Sequence, residues 1–184
     1  LDWNEEFDEP LDDRGFGADL MTSQEIHNGL VMPVYFYSLI EQARARAAGR
    51  SPAEQRARIA ALLASFSAVA AANPYAQFTG AQSAEQILAA APMTHLYTKR
   101  MVAQDGVNQA AALLMTSVAK ARQLGIPRER WVFLHGMAEG TEWKLSERPD
   151  PGEAPGAGAG PARAFALAGL GTADIGPIDI YSCF

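Results

Sequence analysis

Three histidines, one cysteine, and scattered tyrosines, carboxylates and arginines are the side chains here that could move a proton, attack a carbonyl or hold an anion. His27, His95 and His135 lack the i, i+4 spacing of an HExxH zinc site, and no cysteine or carboxylate pair completes a ligand set. No metal site is expected. His135 follows an apolar run, at the kind of edge where α/β sheets meet ligands, but a hydrogen-bonded or surface histidine is the simpler reading. Cys183 is the only thiol. A nucleophilic cysteine needs a helix N-terminus or a histidine to lower its pKa, and the nearest histidine in sequence, His135, is far upstream. A buried, inert thiol is the favoured reading. Tyr181, Ser182 and Cys183 nevertheless follow the start of a strand-like run, at the end where α/β sheets place functional groups. Gly156-Ala157-Gly158-Ala159-Gly160 has the composition of a phosphate-cradling loop but lacks the preceding strand and the GxGxxG or Walker spacing, so it reads as a flexible linker. Lys99 and Arg100, and the cluster Arg44, Arg46 and Arg50, could receive an anionic cofactor; the alternative is a solvated helix face.

These groups must be carried by a chain of 184 residues and 19.7 kDa, enough for one domain or slightly more. Hydrophobic residues make up 48% and charged residues 20%, which suits a globular chain and argues against disorder. The 35 alanines favour helices packed through small side chains. Residues 1–20 hold eight acids against Arg14 alone, a charge of −7, so the remaining residues sum to +1 of the total −6. Without a basic stripe, a nucleic-acid partner is not expected. The longest apolar stretch, around residues 60–72, is interrupted by serines and falls short of the roughly 20 residues a membrane span needs. One cysteine and an acidic start without a visible signal peptide point to a reducing, cytoplasmic setting. The chain starts at Leu1 and stops just after an apolar run at 178–181, which reads as a fragment.

Residues 1–30 show no sustained period and read as an irregular lead-in. Pro33 opens a helix with Val34, Tyr37, Ile40 and Ala43 on its apolar side, ended by Gly49. Ser51-Pro52-Ala53-Glu54 is a capping box with proline at the first helical position. The helix it opens places Ile59, Leu62, Leu63, Phe66, Val69 and Ala70 on one stripe and stops at Asn73-Pro74. Ser83-Ala84-Glu85-Gln86 repeats the capping pattern for a shorter helix. Near residue 101 the character changes. Residues 111–116 and 131–134 are short continuous apolar runs, as strands buried on both faces require. Between them Ser117 caps a helix over 118–124. Residues 146–161 read as a proline- and glycine-rich connection, Pro161 opens another helix to Leu167, and 178–181 form a third strand. Strand, helix, strand, helix, strand is half of an α/β layered unit. The expected division is a helical region over 1–100 and an incomplete α/β unit over 101–184.

Taken in order, four stretches resemble the thiolase superfamily, in particular its acetyl-CoA acetyltransferase-like branch related to sterol-carrier-protein-x thiolases. They are Asn73-Pro74-Tyr75-Ala76-Gln77-Phe78; Tyr97-Thr98-Lys99-Arg100-Met101 followed by Asp105-Gly106-Val107-Asn108-Gln109-Ala110-Ala111-Ala112; Lys120-Ala121-Arg122-Gln123-Leu124-Gly125-Ile126-Pro127; and Ile178-Asp179-Ile180-Tyr181-Ser182-Cys183-Phe184. The resemblance runs from about Glu25 to the end. It implies a five-layer αβαβα fold, of which this chain would hold the helical loop region that covers coenzyme A and the first part of the C-terminal α/β half.

It also implies the chemistry of acyl-CoA thioesters, Claisen condensation or thiolysis in lipid, fatty-acid or sterol metabolism, with acyl-CoA as substrate and no permanently bound cofactor. A homodimer or homotetramer of the full-length protein, with an accessory subunit as a further partner, is the assembly the resemblance implies. Lys99, Arg100, Asp105 and Asn108 are the residues it turns toward coenzyme A. Asp105 falls where many thiolases have a serine near the thioester arm, a departure from the family's pattern. The family's nucleophilic cysteine lies before the matching stretch, and its activating histidine and second cysteine lie after it. Tyr181 stands at an oxyanion-hole position, where ordinary thiolases have the Asn of Asn-Glu-Ala-Phe and the sterol-carrier type has the His of His-Asp-Cys-Phe. Cys183 matches the small residue before the phenylalanine and inherits no nucleophilic role. A phenol could donate directly to an oxyanion in place of the water that Asn or His holds. The alternatives are a thiolase-like aldolase and a non-catalytic acyl-CoA-binding subunit.

Overall fold

The computed structural model describes residues 20–104, 106–108 and 110–181. Its first part is built from four helices: α1 (Ser23–His27), α2 (Pro33–Ala47), α3 (Pro52–Ala71) and α4 (Ala84–Leu88). The capping signals act as their spacing predicts. The Ser51 hydroxyl accepts from the Glu54 amide at 3.3 Å and the Glu54 carboxylate accepts from the Ser51 amide at 2.7 Å. Ser83 and Gln86 do the same for α4. Two orphan donors at each helix start are thereby satisfied, typically contributing about 1 kcal/mol per cap. At the end of α2, Gly49 takes φ +66°. Its amide bonds the Arg46 carbonyl while the Arg50 amide bonds the Ala45 carbonyl, a Schellman arrangement that a side-chain-bearing residue would strain. This turn delivers the chain directly to Ser51 and α3.

The lead-in is more ordered than its lack of period suggests. Within it α1 forms, because Thr22 and Glu25 make a third capping box whose Ser/Thr-x-x-Glu spacing lies in plain view in the sequence. The part of the lead-in before residue 20 lies outside the described residues.

Val34 of α2, Ala60 of α3, Ile87 of α4, and Leu96, Tyr97 and Met101 beyond it form the buried cluster, with Ile59, Leu63 and Leu88 packed against it. Ala60 and Leu96 are fully buried. Pro92 and Thr98 form an isolated antiparallel bridge, and the Thr98 hydroxyl donates to the Ile87 carbonyl at 2.7 Å, locking this turn onto α4. The expected α3 stripe divides in two. Ile59 and Leu63 face the cluster, whereas Leu62, Phe66 and Val69 are exposed. One helix can turn only one arc toward a single neighbour, and the six residues span more than that arc.

Beyond Val102 the pattern differs. Helix α5 (Val118–Gln123) is capped by Ser117, whose hydroxyl accepts from the Lys120 amide at 3.1 Å. The three runs expected as strands, 111–116, 131–134 and 178–181, carry neither helix nor ladder among the described residues. A ladder needs a second backbone about 4.8 Å away, and none of these runs has one here. The proline- and glycine-rich stretch is a correction of another kind. It is neither linker nor phosphate loop: helix α6 (Pro155–Ala168) begins at Pro155 and continues through the glycines and Pro161. Pro155 sits at the first position, where its missing N–H costs nothing, and the Glu142 carboxylate accepts from the Gly156 amide at 2.9 Å. Gly136 packs so closely on α6 that a Cβ there would overlap the Ala164 carbonyl oxygen.

The two parts are joined by a polar clasp. The Glu25 carboxylate, only 1% exposed, accepts from the Ser146 amide at 2.8 Å and from the Thr22 amide at 2.7 Å. The hydroxyls of Thr22 and Ser146 lie 3.1 Å apart. Nearby, Arg44 Nη1 donates to the Gly152 carbonyl at 3.3 Å. Burial alone would disfavour the Glu25 anion, but the amide and hydroxyl donors of Thr22 and Ser146 outweigh it and hold the carboxyl below its ordinary 4.5.

Candidate functional site

The residues singled out from the sequence fall on different segments of the described chain. Lys99 and Arg100 sit on a single 3-10 turn, Lys99–Met101. Arg100 stacks its guanidinium 4.6 Å from the centre of the Phe78 ring, a cation–π contact that orients it and joins two of the motif stretches. Asn108 is exposed, and Tyr181 is 87% exposed. Asp105 and Cys183 lie outside the described residues. No group of three or more potential metal ligands occurs among the described residues. His27 Nδ1 lies 2.6 Å from the Ser23 carbonyl within α1, and His135 is exposed.

Concave surface instead gathers along α2. One concavity, of about 360 Å³, is lined by Gln42, Ala45, Arg46, Arg50, Pro52 and Leu96, among others. A second, of about 350 Å³, lies against Leu30, Tyr35, Ser38, Thr94 and His95 and shares Gln42 with the first. Sharing Gln42, they make a groove with a basic end that holds two arginines and a polar end without lysine, arginine or carboxylate. The three-arginine cluster is sorted by helical geometry: Arg44 and Arg46 are about 200° apart around α2, so Arg44 reaches Gly152 while Arg46, with Arg50 beyond the turn, lines the groove.

The basic end is held from behind by buried polar side chains. Gln55, 5% exposed, accepts from Arg50 Nε at 2.7 Å through its carbonyl oxygen and donates through its amide nitrogen to Glu41. Next to them, burial pushes the Tyr97 phenol well above its ordinary range, with the Glu41 charge and Tyr37 acting in the same direction, so Tyr97 stays neutral. At the polar end, Thr94 Oγ1 accepts from the amides of Leu96 and Tyr97 at 3.2 and 3.0 Å. Its own hydroxyl proton is then free for Ser38 Oγ, 2.9 Å away.

Sequence reasoning missed Gln42, Gln55, Ser38 and Thr94. Neutral polar residues on a helix give no compositional signal, and only the packing of α2 on α3 makes Gln55 a support for Arg50. No described helix is long and apolar enough to cross a membrane.

No family model matches the chain, and no curated protein matches it. Among solved structures it is similar to a monomeric SCP2-thiolase like protein type 1 from Mycobacterium smegmatis, with 42% sequence identity and a TM-score of 0.77 over 88% of this chain. The matched stretch is 36% of that protein's chain. The chain thus has a thiolase-like α/β fold over part of that fold's length. The relative is described as monomeric, so it lends no support to the expected homo-oligomer.

Proposed function

We propose that this chain belongs to a thiolase-like protein that handles acyl-CoA thioesters by Claisen condensation or its reverse, thiolysis. The observation that supports this is the 42% identity with the SCP2-thiolase like protein across 88% of the chain. In such a reaction a cysteine thiolate takes the acyl group, and negative charge develops on a thioester oxygen as the α-proton leaves. The contribution assigned to this chain is a hydrogen-bond donor for that oxygen, the Tyr181 hydroxyl. Helices α2 to α4 and the 3-10 turn after them are assigned to cover the coenzyme.

A second reading rests on Tyr181 itself. A phenol is larger than the asparagine or histidine of working thiolases and can act as acid or base in another carbon–carbon cleavage, such as a retro-aldol step. A protein that has lost turnover and only binds thioesters is the remaining form of this reading.

Calorimetric titration of the full-length protein with acetyl-CoA, together with thiolysis of acetoacetyl-CoA, tests the proposal. Heat of binding and turnover are expected, with Tyr181→Phe reducing turnover by about one to three powers of ten, as for other oxyanion donors. Binding without turnover would move the reading to the second form. No heat at millimolar ligand would end the acyl-CoA reading altogether.

A further inference from the structure

We infer that the basic end of the α2 groove is a binding site for a phosphate group, held by Arg46 and Arg50. Neither arginine forms an ion pair within 4 Å among the described residues, and no hydrogen bond occupies Arg46 or the terminal nitrogens of Arg50. Two guanidinium groups without an ion-pair partner, lining one concavity, are the arrangement a tetrahedral dianion satisfies: each offers paired N–H donors matched to two oxygens. The wall lining has no carboxylate.

Arg50 is not a loose surface side chain. Its Nε is tied to Gln55, which is buried and itself anchored on Glu41, so the fork is aimed before a ligand arrives and less side-chain freedom is lost on binding. The Schellman turn at Gly49 sets the distance between the two arginines by fixing how α2 hands over to α3. Two carboxylates oppose the site. Glu54 lies close enough to Arg50 for the arginine's charge to help lower its pKa, and its Oε2 is engaged by the amide and hydroxyl of Ser51 in the capping box. Glu41 faces Gln55 behind the wall. They reduce the field in the groove without occupying its donors, which predicts a site of modest affinity and strong salt dependence.

The rest of the groove says what the phosphate is attached to. Past Gln42 the lining holds no lysine, arginine or carboxylate, with Tyr35, Leu39, His95 and the Ser38 hydroxyl, so the ligand is a phosphate on a neutral, partly apolar body. Such a group arrives either as the nucleotide phosphate of a coenzyme A thioester, in which form the inference rests on the acyl-CoA reading, or as a separate phosphorylated small molecule.

The test is calorimetric titration of the full-length protein at low salt with two probes: acetyl-CoA and adenosine diphosphate. Arg46→Gln and Arg50→Lys are compared with the unaltered protein after circular dichroism and melting show each to be folded. Arg50→Lys keeps the charge but loses the Nε bond to Gln55, so it separates aimed donors from bulk charge. Losing one charged hydrogen-bonding partner is expected to weaken a phosphate-bearing probe about 10- to 100-fold. If both variants weaken acetyl-CoA and adenosine diphosphate alike, the phosphate is the coenzyme's. If they weaken only adenosine diphosphate, the groove serves a separate ligand. If the unaltered protein binds adenosine diphosphate but not acetyl-CoA, and the variants lose that binding, the acyl-CoA reading fails and the phosphate site stands. Equal binding by all three proteins, or no binding of any probe, overturns the site.

Discussion

Residues 34–101 build a buried apolar cluster, although part of α3 stays exposed, whereas the apolar runs of residues 111–181 build none. In the first region Leu96, with none of its surface exposed, seals a cluster fed by three helices and a bridge. In the second, Leu113 is 93% and Val132 is 96% exposed, although both lie in the most apolar runs of their neighbourhood. The second region is not without contacts. Trp131 donates its indole N–H to the Ile126 carbonyl at 2.9 Å and meets the Phe133 ring edge-on. These contacts are local, however, and leave the runs themselves uncovered. A helical cluster satisfies its backbone within each helix and needs only side-chain contact with its neighbours. A continuous apolar run in extended form gains little until it has backbone on both edges and cover on both faces, as in a parallel sheet. The helical region can therefore be self-contained in a way that residues 111–181 cannot.

The largest effect expected from this contrast is in the buried cluster. Leu96→Ala should destabilise the 184-residue chain by about 2–5 kcal/mol, read as a shift in the denaturant midpoint at constant slope, while Leu113→Ala should change it by less than about 0.5 kcal/mol. Similar losses at the two sites would break the contrast.

Next comes the clasp between the regions. Glu25→Gln removes the charge that the Thr22 and Ser146 donors address and should cost about 1.5–3 kcal/mol, seen as lower protection from hydrogen exchange around 143–148. The pH dependence has a definite sign. Because the folded state holds the Glu25 carboxyl below its ordinary 4.5, the clasp contributes fully above that value and its contribution is lost as pH falls through the folded pKa. Acid titration should loosen residues 143–148 in the native protein and leave the Glu25→Gln variant less affected; identical acid profiles would remove Glu25 from the explanation. The smallest of the three is Gly136→Ala. The added methyl has to displace α6 backbone at Ala164, at about 1–3 kcal/mol, and should perturb α6 amides while leaving those of α2 and α3 unchanged.

The parts legible in the sequence were those set by residues three or four apart. Ser51 with Glu54, Ser83 with Gln86, Pro52 at the first helical position and Gly49 at the helix end each follow from local geometry, and each stands as expected. Thr22 with Glu25 carried the same signal and lay within reach. Helix α6 was hidden because alternating glycine and alanine is equally the composition of a linker. In intrinsic terms its three glycines cost about 1 kcal/mol each and Pro161 about 3, so its formation rests on contacts such as those of Glu142 and Gly136 that no local reading contains. The strand-like runs were recognisable as apolar but not as unpartnered, since a ladder is a property of two segments. The arginines of the groove were visible as charge. Which of the three would share a wall depended on the turn at Gly49, and their support by Gln55 depended on how two helices pack.

The clasp also has a consequence in time. Glu25 and Ser146 are 121 positions apart, so a ribosome adding 5–20 residues per second separates their synthesis by roughly 6–24 s. Through that interval Thr22 is the only one of its two partners yet made. The helical cluster, complete by Met101, can close within milliseconds of its last residue emerging, so the second region is delivered to a surface already formed, on which half of the attachment point is waiting.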